Sequence, residues 1–137
     1  MLISTAALCL ALNIYHESRG EPRAGQIAVG MVTLNRADWD ESRVCDVVFE
    51  RGQWSWTNGS FAKTADGWVI FKDAQPREKK AWETSKRRAK RLLAEELDDP
   101  TRGATHFHTV GMRRPPRWAS SEHKTATIGR HVFYRLD

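Results

Sequence analysis

Residues 13–36, NIYHESRGEPRAGQIAVGMVTLNR, decide how the chain is read. They hold the end of one helix, a Gly20-Glu21-Pro22 break and the start of a second helix. Gly suits the residue just past a helix C-terminus, and Pro suits the first turn of the next helix. Glu17 then falls in the last turn of the first helix. A helix C-terminus carries partial negative charge, so Lys or Arg is preferred there and Glu is mildly unfavourable. That field and burial both disfavour ionisation and push a carboxyl pKa upward. A carboxyl kept neutral near working pH is what a general acid requires. The ordinary alternative is a solvated Glu17 paired with His16 or Arg19.

Upstream, Ser4 or Thr5 can cap a helix running to about Arg19, with Ala6, Leu10, Asn13 and Glu17 on adjacent turns. Leu8 and Leu12 make it apolar on most sides, as expected of a buried central helix. Downstream, Ala24, Ile27, Ala28, Met31 and Leu34 recur at helical spacing, and Asn35 and Arg36 are expected to tie down the end of that helix. Ser42 is the expected cap of a short third helix, VCDVVFE. The run from Gln53 to Gly67 reads as a loop, rich in Gly, Ser, Thr and Asn yet carrying Trp54, Trp56 and Phe61. Loops of that kind commonly present side chains to a ligand.

A further helix is predicted from about Gln75 to Leu97, with Pro76 in its first turn and Trp82, Ala89, Leu93 and Leu97 as its apolar stripe. Between Arg77 and Arg91 it carries eight Lys or Arg against two acids, a face suited to solvent or to an anionic polymer. After Pro100 the texture changes. GATHFHTV and TIGRHVFYRL alternate and read as two short strands, with the basic loop MRRPPRWASSEHK between them.

A length of 137 residues, 40% apolar and 28% charged, describes one globular domain over 1–137 and excludes a fibrous or disordered chain. The net charge of +5 favours anionic partners. Cys9 and Cys45 lie among apolar neighbours and are expected to be buried free thiols. The opening MLISTAALCLALNIYHE lacks a basic n-region and flows directly into the organising stretch. It is therefore read as mature structure, with no classical export signal and no membrane span expected.

The segments YHESRGEPRAGQIAVGMVTLNR, VCDVVFERGQWSWT, GATHFHT, PPRWA and IGRHVFYR, in that order, resemble the SleB-type cell-wall hydrolase family. That family supplies the catalytic domain of spore cortex-lytic enzymes and occurs in phage and bacterial envelope enzymes. The resemblance implies an α+β, mainly helical fold similar to lysozyme and lytic transglycosylases, with a small C-terminal β-hairpin. Where family members more often carry Ala, this chain has Ser18, so Glu17-Ser18 looks closer to the Glu-Ser pair of lytic transglycosylases.

The implied substrate is bacterial peptidoglycan, cut between N-acetylmuramic acid and N-acetylglucosamine. Glycosidases usually use two carboxylates. The resemblance implies one, Glu17, which protonates the leaving oxygen and then takes the proton from the sugar's own primary hydroxyl, giving an anhydro end. Expected substrate contacts are Ser18, Glu21, Gln53, Ser55, Trp56, His106 and Tyr134. Glu21 could instead cap the second helix, and Ser18 could bond only backbone. Neither metal nor other cofactor is needed, and a monomer with no nucleic-acid partner and no stable membrane insertion is expected. A small basic enzyme of this kind resembles a phage endolysin made in the host cytoplasm and released through a holin pore.

Three other readings compete. A hydrolytic muramidase would use Glu17 and Glu21 together. A metal-dependent amidase would bind zinc through His106 and His108 with His16, His123 or His131, although no HExxH motif is present. A non-catalytic module for envelope polymer or nucleic acid would use the basic helix, which lacks any accompanying nucleic-acid motif.

Overall fold

The computed structural model describes residues 1–50 and 59–136. The first strand, β1 (Leu2–Ile3), leads directly into the central helix α1 (Ala6–Ser18). Thr5 is its cap: the hydroxyl accepts a hydrogen bond from the Leu8 amide. Cys9 through Tyr15 are all buried, so this helix is the hub, packed against three others. These are α2 (Arg23–Arg36), α3 (Glu41–Val48) and α4 (Lys79–Ala94). Asn13 is fully buried, and its side-chain oxygen accepts from the Thr33 hydroxyl at 2.8 Å, one polar tie between α1 and α2 in an otherwise apolar contact.

Three helix starts differ from the sequence-based expectation, each for a local reason, and α3 and α4 end two and three residues earlier than expected, at Val48 and Ala94. Asp40, not Ser42, caps α3, because its carboxylate accepts from both the amide and the hydroxyl of Ser42. Pro22 occupies the N-cap of α2 and so precedes its first turn. The last long helix begins four residues later than predicted, at Lys79. The amides of Arg77 and Glu78 donate to the Tyr15 hydroxyl, each at 3.0 Å, so a side chain of α1 satisfies donors that precede the α4 ladder.

Among the described residues there are two antiparallel three-stranded sheets, where a single small hairpin was expected. One is ordered β1-β3-β2, with β2 (Phe61–Thr64) lying inside the run read as loop and β3 (Gly67–Ile70) starting at its last residue. Leu2 pairs with Val69 and Ile3 with Trp68, a long-range pairing that a two-residue strand does not advertise. Gly67 sits at φ +140°, where an added Cβ would meet the Ile3 carbonyl at 2.6 Å. The other sheet is ordered β4-β6-β5, from β4 (His106–Thr109), β5 (Lys124–Ile128) and β6 (His131–Tyr134). The TIGRHVFYRL run thus holds the end of one strand, a turn at Gly129-Arg130 and a second strand.

The cysteines are not free thiols. Cys9 of α1 and Cys45 of α3 are joined in a disulfide, their Cα atoms 5.3 Å apart. The two helices pack side by side, which brings residues 36 positions apart within bonding range. Apolar neighbours in sequence identify burial but not this proximity.

Asn35 and Arg36 anchor the end of α2 as expected. The Asn35 amide donates to Asp99 and to the Ala104 carbonyl, and Arg36 reaches the Thr105 carbonyl and Glu50. Ala28 and Val32 on α2 pack against Ala104 and Phe133, seating the second sheet on that helix.

Candidate active site

The end of α1, the 19–21 break and the β5–β6 turn enclose a cleft of about 380 Å³. Glu17 and Glu21 line it from the helical side; Thr109, Arg130 and His131 line it from the sheet. Glu17 is partly buried and has no hydrogen bond or ion pair among the described residues. Its two ordinary partners are engaged elsewhere. A ring nitrogen of His16 lies 2.7 Å from the Ala74 carbonyl, and Arg19 pairs with Glu78 while its guanidinium sits over the Tyr15 ring. Burial raises the Glu17 pKa from 4.5 to about 7.

Glu21 is in a different state. Its side chain is 8% exposed, and one carboxylate oxygen accepts the Arg130 amide at 2.8 Å. The same oxygen lies 3.5 Å from His131 Nδ1, close enough for a charge interaction but not aligned as a hydrogen bond. Glu21 therefore does not cap α2; it crosses from the helical break to hold the β5–β6 turn. Gly129 adopts φ +57° there, and an added Cβ would come within 3.2 Å of that carboxylate oxygen. Burial pulls the His131 pKa below its usual value, opposed by Glu21 and reinforced by Arg130.

Ser18 lines the cleft but is 3% exposed, and its hydroxyl donates to the Ile14 carbonyl at 2.8 Å. Gln53, Ser55 and Trp56, with Trp54, lie outside the described residues. His106 and Tyr134 do not line this cleft. They are paired across β4 and β6, so both face one side of the sheet together with His108. The Tyr134 hydroxyl and a His108 ring nitrogen are 2.9 Å apart, and Trp118 packs against His106, His108 and Tyr134. Thr109 and His131 are paired on the opposite side, toward the Glu17 cleft.

Among the described residues, no group of three or more His, Cys, Asp or Glu is placed to hold a metal ion. His106 and His108 share a face, but their ring nitrogens meet the Thr105 hydroxyl, the Tyr134 hydroxyl and the Thr109 carbonyl.

Thr109 and Arg130 were not singled out from the sequence, and His131 only as a metal ligand. The available signal was the Gly-Arg-His turn between two alternating runs. It marks a hairpin, yet gives no hint that the hairpin closes on residues more than a hundred positions upstream.

The cleft is open and holds a partly buried carboxyl, Glu17, at a helix end, with no hydrogen bond or ion pair among the described residues. The sequence profile of the Cell Wall Hydrolase family matches residues 20–134, and the chain belongs to that family. The matched span begins just after Glu17. The chain is 30% identical over 128 residues to a spore cortex-lytic enzyme of Halalkalibacterium halodurans, covering 90% of this chain and 33% of that protein. Against the spore cortex-lytic enzymes of Bacillus cereus and Bacillus subtilis the identities are 29% and 28% over the same length, covering 42% and 35% of those proteins. The chain thus spans about a third to two-fifths of the length of these curated relatives. No solved structure matches it.

Proposed function

We propose that this chain cleaves the glycan strand of peptidoglycan between N-acetylmuramic acid and N-acetylglucosamine, as a lytic transglycosylase of lysozyme-like architecture with Glu17 as its single acid and base. The observation that carries this reading is the Glu17 carboxyl, unpaired among the described residues and raised to about 7 by burial. Membership of the cell wall hydrolase family and the likeness to spore cortex-lytic enzymes support the substrate class.

In the proposed reaction the neutral carboxyl of Glu17 gives its proton to the glycosidic oxygen as the C1–O bond breaks. The electron pair of that bond leaves with the departing sugar, and the oxocarbenium-like centre is stabilised by the acetamido group of the retained one. The carboxylate then accepts the proton of the sugar's primary hydroxyl as its oxygen bonds to C1, which closes the anhydro ring and returns Glu17 to its starting state. One group serves in both directions because its pKa lies near neutrality. Glu21 supports the single-acid form, since its carboxylate is committed to the Arg130 amide.

The deciding experiment is mass spectrometry of the soluble products of purified peptidoglycan digested by wild type and by Glu17→Gln. Anhydro-muramic ends from wild type, with none from the variant, are expected. Reducing ends would make water the nucleophile, and released stem peptides would replace the reading with an amidase.

A further inference from the structure

The cleft carries two arginines whose situations differ. Arg19 is spent within the protein, ion-paired to Glu78 and lying over the Tyr15 ring. Arg130 is exposed, and its guanidinium has no ion-pair or hydrogen-bond partner among the described residues. Its backbone, by contrast, is pinned on both sides. The amide donates to Glu21 at 2.8 Å, and the carbonyl accepts from the Val110 amide at 2.8 Å. Gly129 before it has the left-handed conformation that turns the chain back, and buried His131 after it begins β6. A flexible cation is thus mounted on a rigid turn at the rim of the Glu17 cleft.

That placement does not serve the acid. Burial is what raises the Glu17 pKa, whereas a nearby cation would lower it. Nor does it serve the fold, since Glu21 holds the backbone of residue 130 and would do so whatever side chain stood there. The group is free for a ligand. Arginine reads planar anions through paired N–H donors, and carboxylates are the planar anions of a muramic-acid polymer, carried on the lactyl group where it bears no peptide and on the stem peptide where it does. The sugar rings themselves are uncharged.

Building on the glycan-cleavage reading above, we propose that Arg130 is a specificity-determining residue that engages a carboxylate borne by the muramic-acid side chain of the strand bound across Glu17. The contact selects charged strands over neutral ones and fixes which sugar of the repeat lies beside the acid.

The test compares kcat/KM on purified peptidoglycan and on the same material with its carboxylates capped as methylamides by carbodiimide coupling. Wild type is expected to prefer uncapped material by about fivefold, as for an exposed charge-assisted contact, and the preference should shrink as salt is raised. In Arg130→Ala the ratio falls toward one, in Arg130→Glu it drops below one, and Arg130→Lys restores part of it. Thermal midpoints of the variants check that the turn is intact. A wild type that cleaves both materials equally, or an Arg130→Ala ratio equal to wild type, overturns the inference while leaving glycan cleavage standing. A wild type that cleaves neither overturns the glycan-cleavage reading itself, and the inference with it.

Discussion

At its N-terminal end α1 is held by the Thr5 cap and by the Cys9–Cys45 bridge to α3, whereas at its C-terminal end Glu17 has no partner among the described residues. Both ends belong to one 13-residue helix with a buried middle. The first end carries satisfied donors, a covalent tie and no charge in its opening turn; the second carries a carboxyl whose ionisation the surroundings oppose. Such a division is expected where one element must be rigid and also present a group in an unfavourable state. The staple and the core fix the helix, and the acid is placed where its ionisation works against stability.

Replacing Glu17 by Gln is the sharpest way to separate the ends. Lysis of purified walls should fall about 10³-fold, the loss expected for a general acid. The folded protein should be no less stable, and a marked loss of thermal stability would show that Glu17 has a structural partner. Opening the other end should do the reverse. Cys9→Ala with Cys45→Ala should lower stability by about 3–4 kcal/mol, from the entropy of closing a loop across 36 positions. The Glu17 cleft would keep its residues, so activity measured well below the new melting temperature should survive.

The pH dependence tests the electrostatic half of the contrast. Glu17 titrates near 4.5 when unfolded and at about 7 when folded, so folding favours its protonated form. Below pH 4.5 the group is neutral in both states and adds no penalty. As pH rises from 4.5 through 7 the folded state is progressively disfavoured, by up to roughly 3 kcal/mol. The stability of Glu17→Gln relative to wild type, measured by denaturant unfolding, should therefore rise across that window and level off above it. Wild-type activity should decline on the alkaline side of about pH 7 as the acid loses its proton. A parallel pair of stability curves would mean that Glu17 is solvated.

The smallest expected effect concerns the second carboxylate. Glu21→Gln keeps an oxygen for the Arg130 amide but loses the charge beside His131, and should change stability by less than about 1 kcal/mol while retaining most of the lytic rate. A rate loss as deep as that of Glu17→Gln would instead make Glu21 a second catalytic group.

What the sequence disclosed was local. The cap at Ser4 or Thr5, the apolar run of α1, the Gly20–Pro22 break and the place of Glu17 all follow from neighbours within a few positions, and the structure has them there, with Thr5 as the cap. Distant partnerships stayed hidden. Nothing near Tyr15 shows that its hydroxyl will meet the amides leading into α4, and nothing near Cys9 reports the approach of α3. Strand β2 was hidden because the run ending at Gly67 is rich in turn-forming residues, β3 begins only where that run ends, and a two-residue β1 completes their sheet from the far end of the chain. The same holds for the site. Glu17 was legible from its helix, whereas Thr109, Arg130 and His131 reach the cleft only through the seating of the second sheet on α2.

The bridge between α1 and α3 makes the surroundings part of the folding reaction. In a compartment whose glutathione keeps thiols open, the chain would stand without its staple; one where thiols are oxidised would close it. Passage from the first to the second would then stiffen the helix that carries the acid without any change in sequence.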